Sequence, residues 1–277
     1  MNKPTYRGRL APTPTGDLHL GHARTFHQAW KRARDARGQI LMRMEDLDRQ
    51  RCKPEFTHHA LADLSWLGLD WDDDICIQSQ HPHRYLAAWQ KLKNEGWIYP
   101  CTRSRKELRS LPLPDTQDEQ DAEAIFPIEW RPPPGAEQAY DSPEGVTWRF
   151  RVPEGEVITF SDLRKGNISY IAGQDFGDFS LWRRDNIPAY ELSVVVDDIA
   201  QGITEVVRGA DLLRSTARQL LIYRALNATP PAWSHEPLVR DPQGVRLAKR
   251  FHSLSIRELR ESGKTPEEVL ALAYSHT

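Results

Sequence analysis

The sequence predicts an α/β fold built on a parallel sheet. A β-prone run up to Leu10 is followed by apolar residues at helical spacing as far as Gly38, and then by a second apolar run, Gln39–Met44. A strand, a helix and a strand within about forty residues form a right-handed βαβ unit, which makes the strands parallel and puts ligands outside their carboxyl ends. A further strand followed by a helix at residues 205–226 repeats this pattern late in the chain.

The composition limits the classes of protein that the chain can belong to. Its 277 residues are 39% apolar and 27% charged, which is typical of a globular protein with one large domain or one domain with an insertion. The net charge of -2 excludes a uniformly basic nucleic-acid binder, so any contact with RNA must use local patches. One predicted helix carries such a patch, although a solvated helix face is the simpler interpretation of each residue in it: Arg24, Lys31, Arg32, Arg34 and Arg37.

The cysteines and the N-terminus indicate a cellular location. Cys52, Cys76 and Cys101 are widely spaced and odd in number, which argues against a disulfide framework and for a reducing compartment. The N-terminus lacks the apolar core of a signal peptide, and no apolar run is long enough to cross a bilayer. We therefore expect a cytoplasmic protein that makes no membrane contact.

The turn between the first strand and the first helix is the first candidate site. Prolines and glycines end the strand before Asp17, which is suited to cap a helix that begins between Asp17 and Gly21. A helix start favours a bound anion, and His19 and His22 are spaced to donate hydrogen bonds to the same one. Gly21 has no Cβ, so a flat group such as an adenine has room against the backbone. An ordinary turn with two exposed histidines remains the alternative.

The residues around this turn carry a family resemblance. Residues 9–22 read Arg-Leu-Ala-Pro-Thr-Pro-Thr-Gly-Asp-Leu-His-Leu-Gly-His. The last four resemble the His-Ile-Gly-His signature of class I aminoacyl-tRNA synthetases, and the preceding eight are similar to the glutamate-specific branch of that family. The resemblance implies a Rossmann-like catalytic domain in which His19 and His22 are catalytic and, with Gly21, bind ATP. It also implies that the run formed by Arg9, Leu10, Ala11, Pro12 and Thr13 binds glutamate.

The end of the second strand supplies an acidic candidate. Arg9 and Glu45 lie at the ends of neighbouring predicted strands, where they can pair with each other or hold the charged ends of an amino acid. The sequence Arg43-Met-Glu-Asp-Leu-Asp-Arg49 is similar to a glutamyl-tRNA synthetase motif. By that resemblance Glu45 binds the α-ammonium of the substrate. A strand end followed by a solvated acidic turn is the alternative, and the aspartates of residues 70–74 are interpreted as a solvated loop.

Residues 99–145 are rich in proline and predict an inserted subdomain made mostly of loops. Relatives of the glutamyl-queuosine branch commonly carry a zinc knuckle there. Cys101 retains its first position, but Arg103, Phe126 and Trp130 occupy the other three. Because one thiolate cannot hold tetrahedral zinc, we expect no structural zinc and instead apolar packing of Phe126 and Trp130.

The second half of the chain adds two more residues that are predicted to bind the substrate. Residues 147–160 alternate around a Pro-Glu-Gly-Glu turn and predict a β-hairpin, whereas the apolar run 194–196 fits either a strand or a helix start. By resemblance Tyr190 donates its hydroxyl to the amino-acid substrate, and Arg208 is a second arginine that binds a carboxylate. Two arginines and one glutamate favour glutamate over glutamine as the substrate.

A basic segment resembles the second signature of the family, Lys-Met-Ser-Lys-Ser. It reads Arg246-Leu-Ala-Lys-Arg250, so Arg246 and Ala248 depart from the pattern and Lys249 retains the second lysine. The resemblance implies that Arg246 and Lys249 bind ATP and that Lys249 stabilises the charge developing on its phosphates. An exposed basic turn is the alternative.

The resemblance covers nearly the whole chain and corresponds to a catalytic domain. We predict a first half at residues 1–98, an insertion at 99–185, and a second half with short C-terminal helices at 186–277. The anticodon-binding region of full glutamyl-tRNA synthetases is absent, as in the glutamyl-queuosine branch. The expected monomer activates glutamate with ATP and Mg²⁺ without tRNA and esterifies queuosine in the tRNA(Asp) anticodon loop. The alternatives are charging of a tRNA 3′ end, a non-catalytic RNA-binding paralogue, and a small-molecule nucleotidyltransferase, which would not need the paired arginines.

Overall fold

The computed structural model describes residues 5–111, 123–239 and 255–275, and the predicted second signature lies outside them. Strands and helices alternate through most of this part of the chain. The strands are β1 (Arg7–Leu10), β2 (Gln39–Met44), β3 (Asp72–Ile77), β4 (Ile98–Cys101), β5 (Thr147–Phe150), β6 (Val157–Asp162), β7 (Gly166–Ile171), β8 (Ser180–Trp182), β9 (Glu205–Gly209) and β10 (Ala232–Glu236). The helices are α1 (Leu20–Asp35), α2 (Pro54–Trp66), α3 (Pro82–Asn94), α4 (Arg105–Arg109), α5 (Tyr190–Gln201), α6 (Leu213–Ala225), α7 (Ile256–Glu261) and α8 (Pro266–Ser275).

The first sheet contains the predicted βαβ unit. Strands β1, β2 and β3 are parallel, and Leu10 pairs with Met42, so β1 and β2 end at the same edge. Helix α1 crosses between them and buries its apolar face, including Ala23, Phe26 and Ala29, against the strands. This burial explains why an arginine-rich helix forms here, because its apolar residues recur every three or four positions.

A second sheet, in the order β7-β6-β10-β9, continues next to the first. Strands β6, β9 and β10 are mutually parallel where they pair, and β7 is antiparallel to β6. The two sheets join where Arg7 N donates to Thr204 Oγ1 at 2.9 Å and Thr204 N donates to Arg7 O at 2.9 Å. The carboxyl ends of β1, β2 and β9 therefore open on the same side of the molecule.

The predicted hairpin at residues 147–160 is wrong. Strand β5 pairs with β4 and β8 in a separate antiparallel sheet, whereas β6 pairs with β7 from Val157–Ile171 to Asp162–Gly166. The real hairpin turn follows Asp162, whose carboxylate accepts the backbone N–H groups of Arg164 and Lys165. Gly166 closes this turn with φ +78°, a conformation that glycine adopts without strain.

Two further predictions need correction or completion. Part of the predicted loop at residues 70–74 belongs to β3, which begins at Asp72. The Asp72 carboxylate accepts Ile40 N at 2.8 Å and pairs with Arg34 at 2.8 Å, so it is not simply solvated. Charged residues are common on such edge strands. The apolar run at 194–196 is part of helix α5, where all three valines are buried.

The basic residues of α1 do not form an open patch for RNA. Arg32 donates to Glu205 at 2.8 Å, Arg34 pairs with Asp72, and Lys31 pairs with Asp35 at 2.6 Å. Arg24 is buried near Glu236. The simpler interpretation, a solvated helix face, therefore fits Lys31, Arg32 and Arg34, which are exposed or half-buried, and is wrong for the buried Arg24. No helix of the described residues is long and apolar enough to span a membrane.

Candidate active site

A cleft of about 800 Å³ opens at the carboxyl ends of β1 and β2, within the usual size range of ligand pockets. Its other walls come from the first turn of α5 and from the β4-β5-β8 sheet. Of the described residues that line it, five are arginines and three are carboxylates. The arginines are Arg51, Arg103, Arg149, Arg183 and Arg184, and the carboxylates are Glu45, Asp48 and Asp185.

Glu45 lies at the floor of this cleft, immediately after β2. Its backbone N–H donates to Pro12 O at 3.0 Å, which ties it to the loop after β1. Its carboxylate accepts from Arg43 at 3.2 Å and from the Thr13 hydroxyl at 3.4 Å. Burial raises the pKa of Glu45 above its usual range, although Arg43 and Arg9 oppose the shift. A cationic ligand group in the cleft would favour the charged form of Glu45 and could pair with it.

A buried charge cluster supports Glu45 from behind. Arg43 is fully buried and donates to Asp198 Oδ1 at 2.7 Å and to Gln201 Oε1 at 2.8 Å, besides its contact with Glu45. Asp198 also lies 3.8 Å from Arg9 Nε. Sequence reasoning missed the roles of Arg43 and Asp198. The available signal was an arginine between two methionines in a strand predicted to be buried.

Arg9 reaches from β1 towards β9. Its Nη1 donates to Val207 O at 3.1 Å, and Val207 precedes Arg208. Burial lowers the pKa of Arg9, and Asp198 opposes the shift. Leu10 and Pro12, also predicted at the glutamate site, are buried next to it, whereas Thr13 lies on the cleft wall. Ala11 is half-buried between them.

Tyr190 is the first residue of α5 and lines the cleft with 39% of its surface exposed. Burial raises the pKa of Tyr190 to about 12; Arg208 and Arg9 oppose this effect, and Glu45 adds to it. Arg208, Arg9 and Glu45 thus each lie within electrostatic reach of Tyr190. The hydroxyl remains protonated at neutral pH and is available as a hydrogen-bond donor.

Arg208 is buried at the end of β9 and is held by neutral groups. It donates to His235 Nε2 at 3.1 Å, Gln219 Oε1 at 2.9 Å and Thr216 Oγ1 at 2.7 Å. No carboxylate of the described residues forms an ion pair with it. Arg9 and Arg208 do not themselves line the cleft; they lie behind Glu45 and Tyr190.

The two histidines of the first turn cap helix α1. The N-cap is His19 rather than the predicted Asp17, which instead pairs with His59 at 2.6 Å. His19 Nδ1 accepts Gly21 N at 3.1 Å, and His22 Nδ1 accepts His19 N at 3.2 Å. Each accepting Nδ1 must carry a lone pair, so a neutral ring carries its proton on Nε2. The centroids of the two rings lie 3.8 Å apart.

Gly21 lies close to the His19 ring. A Cβ at this position would lie 3.0 Å from His19 Cε1, so the capping imidazole would have to move by a few tenths of an ångström to make room. The space for an adenine that the sequence suggests remains a prediction. The other two expected ATP ligands, Arg246 and Lys249, lie outside the described residues.

Aromatic and arginine side chains occupy the place where the family resemblance would put a zinc knuckle. Cys101 and Phe126 are buried together with Tyr99, and Trp130 packs against them. Arg103 lies 4.7 Å from the centre of the Trp130 ring and Arg149 lies 4.4 Å from that of Phe126. The predicted packing of Phe126 and Trp130 is therefore present. Within residues 5–111, 123–239 and 255–275, no group of three or more His, Cys, Asp or Glu is arranged to hold a metal ion.

Comparison with known families decides which class of protein has this site. A profile described as "tRNA synthetases class I (E and Q), catalytic domain" matches residues 5–274. The chain belongs to this family. The α/β class I catalytic domain that the sequence predicts is thereby confirmed, and so is the prediction that the chain is an enzyme.

Curated relatives divide into two groups that this class I synthetase chain matches over almost its whole length. The Glutamyl-Q tRNA(Asp) synthetase of Nitratidesulfovibrio vulgaris is 47% identical, covering 93% of this chain and 82% of that protein. The protein of the same name in Symbiobacterium thermophilum is 42% identical, covering 96% and 85%. A Glutamate–tRNA ligase of Synechococcus sp. is 40% identical, but the match covers only 54% of that ligase.

Solved structures agree on the fold of this class I domain. The glutamate tRNA ligase of Elizabethkingia meningosepticum, crystallised with its amino acid, superposes with a TM-score of 0.73 at 23% identity. The match covers 94% of this chain and 54% of that structure. The fold is therefore that of the catalytic part of a longer ligase.

Proposed function

We propose that the chain activates glutamate with ATP and transfers it to queuosine at the wobble position of tRNA(Asp). The observation that carries this proposal is that Glu45 and Tyr190 line one cleft while Arg9 and Arg208 lie buried behind them. The four residues lie at the ends of three strands and at a helix start, and Arg208, Arg9 and Glu45 each act on the pKa of Tyr190. Their charges would suit one ammonium group and two carboxylates.

The charge of the site favours glutamate over glutamine. Arg9 and Arg43 pair with Asp198 and Glu45, and Arg208 adds a buried cation that forms no ion pair with a described carboxylate. We take this arginine as the positive charge available to the substrate. Glutamate carries one net negative charge at neutral pH and would neutralise it, whereas glutamine carries none. Glu45 would hold the α-ammonium, and the arginines would hold the carboxylates, by charge-assisted hydrogen bonds each contributing about 1.5–3 kcal/mol.

Activation would follow from positioning and electrostatics. A carboxylate oxygen of glutamate attacks the α-phosphorus of ATP, the bond from that phosphorus to the bridging oxygen breaks, and pyrophosphate leaves. The Nε2–H groups of His19 and His22, at the amino end of α1, would bind the phosphates, and Lys249 would neutralise the leaving group. Mg²⁺ would enter bound to the ATP phosphates.

The outer part of the cleft would receive the acceptor nucleoside. A hydroxyl of queuosine attacks the carbonyl carbon of the glutamyl adenylate, and AMP leaves. The five arginines of the cleft suit the phosphates that flank a nucleoside in an anticodon loop. The names of the relatives from N. vulgaris and S. thermophilum support this acceptor. We further propose that the chain works as a cytoplasmic monomer. We also propose that its catalytic domain consists of residues 1–98 and 186–277, with an inserted subdomain at residues 99–185.

Two assays test the proposal in sequence. Glutamate-dependent exchange of pyrophosphate into ATP, measured without tRNA, should be strong for the wild-type chain and undetectable with glutamine. Lys249→Ala should abolish it. Absence of exchange would favour a non-catalytic RNA-binding protein, and exchange without any amino acid would favour a nucleotidyltransferase.

The acceptor is tested by charging tRNA(Asp) that contains or lacks queuosine. We expect transfer of labelled glutamate only to the queuosine-containing tRNA, and this transfer should persist when the 3′-terminal adenosine of the tRNA has been removed before charging. Charging of tRNA(Glu) that is lost after removal of this adenosine would support the 3′-end alternative suggested by the Synechococcus ligase.

A further inference from the structure

A buried chain of hydrogen bonds leads from Arg208 into the segment predicted as the insertion. Arg208 Nε lies 3.1 Å from His235 Nε2, and His235 Nδ1 lies 2.6 Å from Asp162 Oδ2. The His235 side chain is fully buried, and so is the Asp162 side chain. The three residues belong to β9, β10 and β6, which are neighbours in one sheet. Neither sequence motifs nor the proposed roles account for this chain.

The direction of these hydrogen bonds is fixed by the arginine. A guanidinium nitrogen can only donate, so His235 Nε2 must accept and its proton must lie on Nδ1. That N–H then donates to Asp162. Burial, with the charge of Arg208, lowers the pKa of His235 to about 4, against the effect of Asp162. His235 is therefore neutral at physiological pH.

Asp162 is itself firmly anchored. Its carboxylate accepts Arg164 N at 3.0 Å, Lys165 N at 2.8 Å and His235 N at 3.1 Å. Although burial opposes ionisation, the hydrogen bonds from His235 and these backbone groups hold its pKa below the usual range. The anchor thus belongs to the turn between β6 and β7.

We propose that His235, oriented by Asp162, is a positioning residue that aims the uncompensated charge of Arg208 at the glutamate substrate. A neutral acceptor holds the guanidinium in place without neutralising it, which a carboxylate in the same position would do. Thr216 Oγ1 performs the same task on Nη2. This inference rests on the proposed function, because it assumes that Arg208 binds a substrate carboxylate.

A matched pair of substitutions separates positioning from general support of the fold. The carboxamide of His235→Asn ends near the level of Nδ1, so it can still contact Asp162 but cannot reach Arg208. The carboxamide of His235→Gln extends to the level of Nε2, so it can accept from Arg208 but loses the contact with Asp162. His27→Asn is the control. His27 is a half-buried histidine of α1 that shares a hydrogen bond with the Tyr274 hydroxyl and has no contact with Arg208 among those described.

In the pyrophosphate exchange assay, His235→Asn should raise KM for glutamate about tenfold and leave KM for ATP within about twofold. His235→Gln should recover most of this loss, and His27→Asn should behave as wild type. Discrimination between glutamate and glutamine should fall with His235→Asn. If the two His235 variants are equally impaired, or KM for glutamate does not change, the proposal is wrong.

A second pair keeps the test decisive if His235→Asn fails to fold, as judged by circular dichroism. Thr216→Val removes a second side-chain acceptor of Arg208 at similar volume, leaving Gln219 in place, and Thr216→Ser keeps it. A higher KM for glutamate only in Thr216→Val supports the proposal; equal values overturn it. A wild-type chain without exchange contradicts the proposed function instead, and the same variants are then compared by calorimetric binding of glutamate. A wild-type chain that also fails to bind glutamate overturns both.

Discussion

Arg43 and Arg208 are two buried arginines at the base of the same cleft, yet their partners differ in kind. Arg43 contacts the carboxylates of Asp198 and Glu45, whereas Arg208 contacts an imidazole, an amide and a hydroxyl. The first charge is compensated within the fold. The second charge is held by neutral acceptors and reaches the buried carboxylate of Glu191 only through Gln219, so a ligand carboxylate could still pair with it directly. The fold thus separates an arginine that stabilises structure from one that is prepared for binding.

The comparison is tested most severely by replacing Arg43. Arg43→Met would leave Asp198 and Glu45 buried without their cation, so we expect the free energy of unfolding to fall by about 3–5 kcal/mol. Urea unfolding followed by circular dichroism measures this change. Lys31→Ala, which removes an exposed ion pair on α1, should change it by less than about 0.5 kcal/mol. A loss below about 1 kcal/mol for Arg43→Met would contradict the structural role.

The matched substitution Arg208→Met should show the opposite balance. This substitution leaves only neutral acceptors without their hydrogen-bond donor, so the free energy of unfolding should fall by no more than about 2 kcal/mol. Glutamate binding loses a charge-assisted contact, and KM for glutamate in pyrophosphate exchange should rise at least about tenfold. If Arg208→Met destabilises the chain as much as Arg43→Met, the two arginines do not differ as described.

The two sides of the site should also differ in their response to acid. The raised pKa of Glu45 means that acidification removes its charge before that of an ordinary glutamate, so binding of the substrate ammonium should weaken. We expect KM for glutamate to rise as the pH falls from 8 towards about 5.5, where the substrate carboxylates stay ionised.

Glu45→Gln should abolish this pH dependence, although its KM should be high throughout. His235, whose pKa is about 4, should contribute nothing in this range. The effect on folding has the opposite sign: a raised carboxyl pKa stabilises the folded chain at low pH and costs stability as the pH rises through it. A KM that increases with pH between 5.5 and 8 would contradict the role of Glu45.

Arginines that stack on aromatic rings form a third class. Replacing one of them should lower the free energy of unfolding the least. Arg103→Ala removes the contact with Trp130 at a half-exposed site, and we expect a loss of about 0.5–1 kcal/mol. Treatment with EDTA should leave Tm unchanged, because aromatic side chains pack around Cys101 where a zinc knuckle would have its other ligands. Zinc analysis that finds one ion per chain, or a fall in Tm after chelation, would contradict this interpretation.

The sequence predicted the parts of the site that lie at strand ends. Arg9, Glu45 and Arg208 each follow or finish an apolar run, and parallel strands bring such ends together whatever the intervening chain does. Family resemblance then supplied the expected ligand of each. Tyr190 could be assigned only in this way, because its neighbouring apolar run fitted a strand as well as a helix.

The missed features depend on partners distant in sequence. Nothing local indicates that His235 meets Asp162, or that Arg43 meets Asp198, because each contact arises from the order of strands and helices in space. The alternation at residues 147–160 correctly indicated two strands but could not show that they join different sheets. His19 was overlooked as a cap because histidine is not among the residues that usually begin helices.

The junction between β1 and β9 determines when the enzyme becomes able to bind its substrate during synthesis. Arg9 and its acceptor Val207 are 198 positions apart, so the ribosome must release three quarters of the protein before the pocket closes. Until then β1 exposes an unpaired edge that can join a wrong strand.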